Sequence, residues 1–315
     1  KFLDKDKYNV EILDVTRISK NILLIPFQFF SFFYSLLKAL SFIKKNKIKT
    51  LISTGGYMSV PLCLASKIMN IRLFLFEPNM VLGRSNKFFI KSCEKIFCYS
   101  DKIKNFPNKF KDKISIIPAL LRREFYNIKK NEIINRNVDL LIIGGSQGAK
   151  SFDIIVRNSI ISLSKKYQLK VYQQTNQKNF QSLKIFYEVN KIEHELFDFN
   201  EDISLIMNKA SICLTRAGAS TLAELVFLNL PHLAIPLLTA KDNHQFENAF
   251  FYNQFGCNWI LNQNEINDTN LTNKLFNIIN NKEAYLNKKI NMKNFSYQNT
   301  WNNINQKIIF TINEN

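Results

Sequence analysis

The sequence is poor in the residues that build metal sites and disulfide frameworks. Its 315 residues include 5 cysteines, scattered and without a CxxC pair, and only 3 histidines. The cysteines lie mostly in apolar runs, which is typical of core thiols in a reducing compartment. No acidic pair of the DxD type stands at the end of a predicted strand. We therefore expect neither a bound metal nor a cofactor.

Acidic residues are also few, since 25 of them face 43 lysines and arginines, and the formal net charge is +18. Such a balance favours nucleic acid, an anionic membrane surface or a phosphorylated substrate as the partner. The basic residues are spread along the chain and form no recognition module, so nucleic acid is the least favoured of the three.

The chain begins at Lys1 without methionine or a signal-peptide pattern, and we expect a truncated N terminus.

Short β-branched and apolar runs alternate with helical patterns along the chain, which is typical of parallel α/β architecture. We expect a first domain over residues 1–125, a polar linker over 126–137, a second domain over 138–295, and a final helix over 296–315 that can belong to either domain. The predicted strands are Val10–Leu13, Thr50–Ser53, Arg72–Phe76, Ile96–Tyr99 and Ile114–Ile117 in the first domain, and Val138–Ile143, Leu169–Gln173, Ile212–Leu214 and His232–Ile235 in the second.

A glycine-rich turn in the second half carries the strongest local signal for a ligand. Because only 8 glycines occur, their clusters indicate positions that need glycine geometry. The run Gly144–Lys150, GGSQGAK, follows a strand and opens a helix, so backbone N–H groups and the helix dipole can hold a phosphate there. Its spacing fits neither a Walker loop nor a full dinucleotide fingerprint. A plain β–α turn is the alternative.

The run Thr215–Glu224, TRAGASTLAE, repeats the same order of strand, turn and helix. Ser220 and Thr221 place hydroxyls at the helix start, and Glu224 follows one turn later on the same face. A carboxylate there can accept both hydroxyls of a ribose. A first-turn acid stabilised by the helix dipole gives the same pattern, so the residues alone leave both interpretations open.

Further polar groups follow other predicted strands. Residues 241–248 bring together amide, imidazole and carboxylate groups that suit sugar hydroxyls. In the first half, Ser53–Pro61 is another strand with a paired-glycine turn, and Glu77–Asn79 ends a nearby strand. Two anion sites in separate domains indicate two phosphate-bearing ligands.

These motifs together resemble those of the MurG-type peptidoglycan N-acetylglucosaminyltransferases, which convert lipid I to lipid II. The matching runs keep the family's order and spacing and are TGGYMSVP (54–61), EPNMVLGRSNK (77–87), GGSQGAK (144–150), TRAGASTLAE (215–224) and LPHLAIPLLTAKDNHQFENA (230–249). The resemblance implies an α/β fold of the GT-B type, with two Rossmann-like domains facing a cleft. It implies an inverting transferase at the cytoplasmic face of the bacterial inner membrane. Its partners are then UDP-N-acetylglucosamine, a lipid-diphosphate acceptor and an anionic membrane surface.

The resemblance also implies roles for individual residues. Ser146, with Gln147 and Gly148 in its loop, is expected to meet the donor diphosphate. Glu224 is expected to bind the ribose, and Gln245 the sugar hydroxyls. The remaining donor contacts are expected at Asn79, Arg122, Asn200, Ala219, Ser220, Thr221, Leu222 and Ala223. The acceptor diphosphate is expected to face Gly55, Gly56 and Tyr57.

The sequence departs from the family pattern in two places. The family's opening Gly-rich loop ends in a histidine regarded as a general base, and none of His194, His232 and His244 matches it. The catalytic base is therefore unassigned. We expect a missing N-terminal segment of some tens of residues and poor transfer by the chain as it stands. The family's Gly-Asn-Pro turn before its arginine is also absent from Ile117–Arg122.

Three other functions remain open on the sequence. They are another GT-B transferase with a lipid acceptor, a UDP-N-acetylglucosamine epimerase of the same fold, and a catalytically impaired UDP-sugar-binding protein. An epimerase would not need an apolar surface for a lipid acceptor, which makes the next feature informative.

The run Ile22–Ile43 is almost wholly apolar and has the length of a membrane span. Its polar residues recur every three or four positions in one stripe, and lysines cluster at its end. We expect a helix in the membrane interface, with Phe29, Phe30 and Phe33 dipping into the lipid. A helix buried on all sides under other elements is the alternative.

Overall fold

The computed structural model describes residues 9–15, 25–128, 137–144, 152–200 and 202–314. They divide into two compact units. The first unit comprises the chain up to Glu77, Leu82–Ile116 and the residues from Thr311 onward, and the second comprises Pro78–Val81 and Ile117–Phe310. The structural division therefore counts residues 117–125 with the second unit, whereas the sequence-based division assigns them to the first domain.

Strands and helices alternate in both units. Up to Asn127 the elements are α1 (Ile25–Lys45), β1 (Thr50–Ser53), a 3-10 turn (Tyr57–Ser59), α2 (Val60–Ile68), β2 (Arg72–Glu77), α3 (Arg84–Phe89), β3 (Ile96–Cys98), a 3-10 turn (Asn108–Lys113), β4 (Ile114–Ile116) and α4 (Arg123–Asn127). They are followed by β5 (Val138–Ile143), α5 (Arg157–Ser164), β6 (Leu169–Gln174), α6 (Gln177–Val189), β7 (Glu193–Phe197), α7 (Ile203–Lys209), β8 (Ile212–Thr215), α8 (Ala219–Phe227) and β9 (His232–Ala234). The last are a 3-10 turn (Lys241–Asn243), α9 (His244–Gln254), β10 (Trp259–Ile260), a 3-10 turn (Gln263–Glu265), α10 (Asp268–Asn280), α11 (Lys282–Ser296) and α12 (Trp301–Asn313).

Four parallel strands in the order β1-β2-β3-β4 form the sheet of the first unit. In β2 the consecutive residues Leu73, Phe74 and Leu75 are all buried. Such an unbroken apolar run is what a strand covered on both faces requires. The predictions of a strand near each of these four positions are confirmed.

The strand predicted at Val10–Leu13 is wrong. Residues 9–15 have irregular backbone, and the hydroxyl of Ser35 on α1 donates to the carbonyl of Asp14 at 2.8 Å. Leu13 packs against the apolar cluster formed by α1 and α2. A side chain of α1 therefore binds this segment, which was expected to pair with a strand of the sheet.

Six parallel strands in the order β10-β9-β8-β5-β6-β7 form the sheet of the second unit. The strands predicted at β5, β6, β8 and β9 are confirmed, whereas β7 and β10 were missed. β7 is an edge strand with exposed glutamates at both Glu193 and Glu195, and β10 has only two residues. Neither gives the apolar run by which a buried parallel strand is recognised.

The strand order places a topological switch point between β5 and β8. From β5 the chain adds β6 and β7 on one side, and then returns to add β8, β9 and β10 on the other. In open parallel sheets of this kind, ligands bind at the carboxyl ends of the two strands that flank the switch. The two turns singled out in the sequence, after Ile143 and after Thr215, begin at that edge.

A buried carboxylate anchors the chain beside β6. Asp153, which is 3% exposed, accepts hydrogen bonds from Gln173 at 2.8 Å, Thr175 at 2.9 Å and Asn179 at 2.6 Å. The Tyr187 hydroxyl donates in turn to Gln173. Three donors around one carboxylate compensate for its loss of water.

Replacing Asp153 with alanine leaves three donors without their acceptor. We expect Asp153→Ala to lower the free energy of unfolding by about 2–4 kcal/mol, measured by urea denaturation. The matched control is Asp268→Ala, because exposed Asp268 accepts a single side-chain bond from Asn158 and should cost about 0.5 kcal/mol. Equal losses in the two variants would show that the Asp153 cluster has no special role in stability.

Candidate functional site

The ends of β5 and β8 are held together at the switch point. The N–H of Arg216, which follows β8, donates to the carbonyl of Ile143 at the end of β5 (3.1 Å). Residues 145–151 lie outside the described part of the chain. The expected diphosphate contacts of Ser146, Gln147 and Gly148 therefore stay predictions.

Helix α8 begins immediately beyond this junction. Gly218 precedes it in an extended conformation and makes no side-chain cap, and the first N–H groups of a helix have no intrahelical acceptor. Ser220 is exposed there, whereas the side chains of Leu222 and Ala223 lie in the core. Residues Ala219–Ala223 can therefore offer an anion backbone N–H groups and the hydroxyls of Ser220 and Thr221.

The central contact of the site joins Glu224 to Arg122. The Nε of Arg122 donates to Oε1 of Glu224 at 2.9 Å, and Glu224 is only 5% exposed. Burial raises the pKa of the Glu224 carboxyl, and the Arg122 guanidinium lowers it. Glu124, 3.5 Å from Arg122 on the same turn, raises it slightly as a like charge. The sequence predicted both residues of the pair for the donor site but gave no sign that they contact each other.

Asn79 is brought to the same edge by Asn248. Asn248, which is 1% exposed on α9, donates through Nδ2 to Oδ1 of Asn79 (3.1 Å) and to the carbonyl of Ala217 (3.2 Å). Its own Oδ1 accepts from the N–H of Met80 at 2.8 Å. These bonds fix the Asn248 amide and hold the side-chain oxygen of Asn79 beside it. The sequence placed Asn248 in the polar cluster 241–248 without a separate role, and its helical spacing from Gln245 places both on one face.

The other two expected donor contacts lie at the ends of different strands of this sheet. Gln245 is the second residue of α9, and its Oε1 accepts from the N–H of Leu237 at 3.0 Å. Asn200 follows the edge strand β7, and its Oδ1 accepts from the N–H of Asp202 at 2.7 Å. The structure thus places Arg122, Glu224, Asn79 and Gln245 around β8 and β9, and Asn200 at the far end of the same edge.

The first unit carries the expected acceptor loop after β1. Gly55 (φ 78°) and Gly56 (φ 80°) both adopt left-handed backbone conformations, which favour glycine. A side chain at Gly55 would also meet the buried Asn86 amide at 2.9 Å. Tyr57 begins the following 3-10 turn and is 42% exposed. The loop geometry requires these glycines whatever it binds, and the acceptor contacts stay predictions.

His232 is a strand residue, as the sequence predicted. It is fully buried in β9, its Nδ1 lies 2.9 Å from the carbonyl of Leu230, and burial lowers its pKa to about 4. A ring without access to solvent cannot exchange protons with a substrate. Among the residues that the structure describes, no group of three His, Cys, Asp or Glu side chains could hold a metal ion.

Residues 1–98 match the glycosyltransferase family 28 N-terminal domain, and residues 139–303 match the glycosyltransferase family 28 C-terminal domain. The chain belongs to glycosyltransferase family 28. The C-terminal match covers β5 through α12 up to its first turn and so includes the switch point, Glu224 and Gln245.

Two family 28 relatives show how far the similarity extends. A UDP-N-acetylglucosamine–N-acetylmuramyl-(pentapeptide) pyrophosphoryl-undecaprenol N-acetylglucosamine transferase of Pelagibacter ubique (strain HTCC1062) is 63% identical over 315 residues, which is 100% of this chain and 88% of that protein. The enzyme of the same name from Rickettsia typhi (strain ATCC VR-144 / Wilmington) is 31% identical, over 90% of this chain and 82% of the relative. The resemblance drawn from the five motifs is confirmed.

Solved structures show the same fold. The Acinetobacter baumannii MurG crystal structure has a TM-score of 0.74 at 22% identity and covers 99% of this chain and 86% of its own. The UDP-GlcNAc 2-epimerase from Neisseria meningitidis bound to UDP-GlcNAc has a TM-score of 0.62 at 15% identity, over 96% and 84% of the two chains. The predicted GT-B fold class is confirmed. Because a transferase and an epimerase both have this fold, the fold alone does not separate the two activities.

The Arg122–Glu224 pair predicts a pH-dependent stability. Without Arg122, the pKa of buried Glu224 rises further above the ordinary value of 4.5. Between about pH 4.5 and the raised pKa of Glu224, the folded state then binds more protons than the unfolded chain. The free energy of unfolding therefore falls as the pH rises through this range. We expect the loss of Tm in Arg122→Met to be larger at pH 7.5 than at pH 5, measured by thermal unfolding.

The control for this prediction is the double variant Arg122→Met/Glu224→Gln. It lacks the titrating carboxylate, so its loss of Tm relative to the single variant Glu224→Gln should be the same at the two pH values. A loss in Arg122→Met that does not change with pH would contradict a buried carboxylate stabilised by Arg122.

Proposed function

We propose that this chain transfers N-acetylglucosamine from UDP-N-acetylglucosamine to undecaprenyl-diphosphate-linked N-acetylmuramyl-pentapeptide, converting lipid I to lipid II in peptidoglycan synthesis. The observation that carries the proposal is the 63% identity, over the whole chain, to a transferase of that name. The buried Glu224 carboxylate beside the helix start at the switch point gives the second unit a place for a nucleoside diphosphate.

In the donor site, different residues at the carboxyl edge of the second-unit sheet bind different parts of UDP-N-acetylglucosamine. Glu224 accepts the hydroxyls of the ribose. The N terminus of α8, with Ser220 and Thr221, offers positive potential to the diphosphate, and so does the loop at 145–151 by its sequence. Gln245 and Asn79 carry amide groups, which can bond to sugar hydroxyls. Asn200, which follows β7, makes a backbone contact to the uracil base.

The reaction is a direct displacement at the anomeric carbon. A hydroxyl of the acceptor sugar forms a bond to that carbon, the bond from carbon to the diphosphate oxygen breaks, and the configuration inverts. A general base takes the hydroxyl proton, and UDP leaves with the bonding electrons. The charge that develops on the leaving diphosphate is stabilised by the N–H groups at the start of α8.

Loss of the Glu224 carboxylate tests the donor site. We expect Glu224→Ala to weaken UDP binding by about 1–3 kcal/mol, the cost of unpairing charged hydrogen bonds, measured by titration calorimetry. The matched control is Glu124→Ala, which removes a half-exposed carboxylate on the other side of Arg122 and should leave UDP affinity within about twofold. Unchanged affinity in Glu224→Ala would contradict the ribose assignment.

Transfer itself is tested with labelled UDP-N-acetylglucosamine and lipid I, by following the label into lipid II. Because the catalytic base is unassigned, the assay is also run with the family's opening Gly-rich loop joined to the chain. Label in lipid II in either form supports the proposal. UDP binding without transfer in both forms would favour the catalytically impaired UDP-sugar-binding protein, and transfer to a different lipid acceptor would favour another transferase of this fold.

The proposal also includes peripheral binding at the cytoplasmic face of the inner membrane, through α1. Phe29 and Phe30 are each 72% exposed and Phe33 is 49% exposed, whereas Gln28 and Ser35 are buried. The helix thus buries a narrow side that mixes Gln28 and Ser35 with apolar residues, and it leaves these phenylalanines exposed. A helix buried on all sides does not fit this exposure.

By length and composition α1 could also cross a membrane, since its 21 residues are sufficiently apolar. An interfacial position fits better, because Leu36, Ala39 and Ile43 pack one side of the helix against α2. Exposed lysines follow at Lys44 and Lys45, where they can attract anionic headgroups. Large exposed aromatic surface beside basic residues is typical of a membrane contact.

Removing the phenylalanines tests this surface. We expect Phe29→Ser/Phe30→Ser/Phe33→Ser to bind anionic vesicles at least about tenfold more weakly, since each buried phenylalanine contributes roughly 1.5 kcal/mol or more, while UDP affinity is unchanged. The control is Phe88→Ser, because Phe88 is 73% exposed elsewhere in the first unit. Full vesicle binding by the triple variant in a sedimentation assay would refute the membrane role of α1.

A further inference from the structure

Arg122 ends a short irregular segment that begins at Ile117 and joins β4 to α4. Arg122 precedes α4, a helix of only five residues, which gives little support by itself. Some other contact must therefore hold the guanidinium 2.9 Å from Glu224.

The hydroxyl of Tyr126 holds the backbone of the segment before Arg122. It accepts a hydrogen bond from the N–H of Leu121, the residue before Arg122, at 3.2 Å. Its proton can go to Oδ1 of Asn299 (3.4 Å) or to the carbonyl of Ala119 (3.5 Å). Nδ2 of Asn299 donates to that same carbonyl at 3.0 Å. Tyr126 and Asn299 thus bind the two peptide groups that join Ala119 to Leu120 and Leu120 to Leu121, just before Arg122.

The ring of Tyr126 contacts the helix that carries Glu224. It packs edge-on against Phe227, with ring centroids 5.4 Å apart. Phe227 lies on α8, three residues after Glu224, and so on the neighbouring turn of the same helix. A second edge contact, to Trp301 at 5.8 Å, holds the ring from the side of α12. One side chain therefore touches both the segment of Arg122 and the helix of Glu224.

We propose that Tyr126 is a positioning residue for donor binding, which sets Arg122 against Glu224 and so orients the carboxylate that receives the ribose. Tyr126 touches no ligand and acts through the pair. Asn299 completes the arrangement from a distance of 173 residues in the chain. The inference rests on the proposed function, since it concerns the same UDP site.

Tyr126→Phe tests the inference, because it removes the hydroxyl and keeps the ring packing on Phe227 and Trp301. We expect UDP affinity, measured by titration calorimetry on the full chain, to fall about five- to tenfold, as for loss of one hydrogen bond. The binding stoichiometry should stay that of the wild type. A merely structural fault would reduce the fraction of competent molecules and leave the affinity of the rest unchanged.

The matched control is Tyr167→Phe. Tyr167 donates its hydroxyl to Asn280 at 2.7 Å, in the same unit but next to the amino end of β5, away from the switch point. We expect it to lose a similar amount of Tm and to keep wild-type UDP affinity. A loss of affinity equal to that of Tyr126→Phe would overturn the inference.

A double-variant cycle with Arg122→Met identifies the route. If Tyr126 acts through Arg122, adding Tyr126→Phe to Arg122→Met should change UDP affinity by less than about twofold. Additive losses would overturn the inference. If Tyr126→Phe does not fold, Asn299→Asp takes its place in the cycle, because it exchanges the amide nitrogen that donates to Ala119 for a carboxylate oxygen. The expected result is the same: a loss of UDP affinity alone, and a change of less than about twofold when it is added to Arg122→Met. Absence of UDP binding in the wild type would instead refute the proposed function.

Discussion

A carboxylate almost removed from water is the feature on which the second unit depends. Glu224 keeps only 5% of its surface exposed, and a buried charge is costly unless a partner and hydrogen bonds compensate for it. Arg122 is that partner at 2.9 Å, and it is itself 40% exposed on its side chain. The arginine therefore faces solvent on one side and stabilises a buried acid on the other. We propose that this acid accepts the hydroxyl donors of the ligand.

The topology of the sheet explains why the other polar groups gather there. Because all six strands run parallel, every turn that follows a strand opens at the same edge, and the switch point separates the turns after β5 and β8. The backbone N–H of Arg216 joins these two turns through the carbonyl of Ile143, and the Asn248 amide joins the turn after β8 to Asn79 and Met80. An amide side chain suits the second task, since it satisfies both donors and acceptors in the core without adding charge.

Much of this architecture could be predicted from the sequence, and the reasons for the exceptions are physical. Strands such as Val138–Ile143 are apolar runs that only a strand covered on both faces explains, and they were found. The edge strand Glu193–Phe197 alternates exposed charge with apolar residues and was missed. Val10–Leu13 has the composition of a strand but is held by Ser35 instead, which no local pattern reveals.

The candidate site divides in the same way. The turn between β8 and α8 could be found because glycine and small residues between a strand and a helix have few other uses, whereas the similar run at 145–150 lies outside the described residues. Tyr126 and Asn299 could not, since the contact between them depends on how segments 173 residues apart meet. On α1 the apolar run was evident, but only the structure shows that the buried side carries Gln28 and Ser35 while Phe29 and Phe30 face outward.

We propose that the carboxylate held by Arg122 receives the hydroxyls of a uridine ribose. Calorimetry can compare the affinities of UDP and 2′,3′-dideoxyuridine diphosphate for the wild-type chain, and the comparison is repeated with Glu224→Gln. We expect the dideoxy compound to bind the wild type at least about tenfold more weakly, and much of this difference to disappear in Glu224→Gln. Equal affinity of the wild type for the two compounds would show that Glu224 does not bind the ribose hydroxyls.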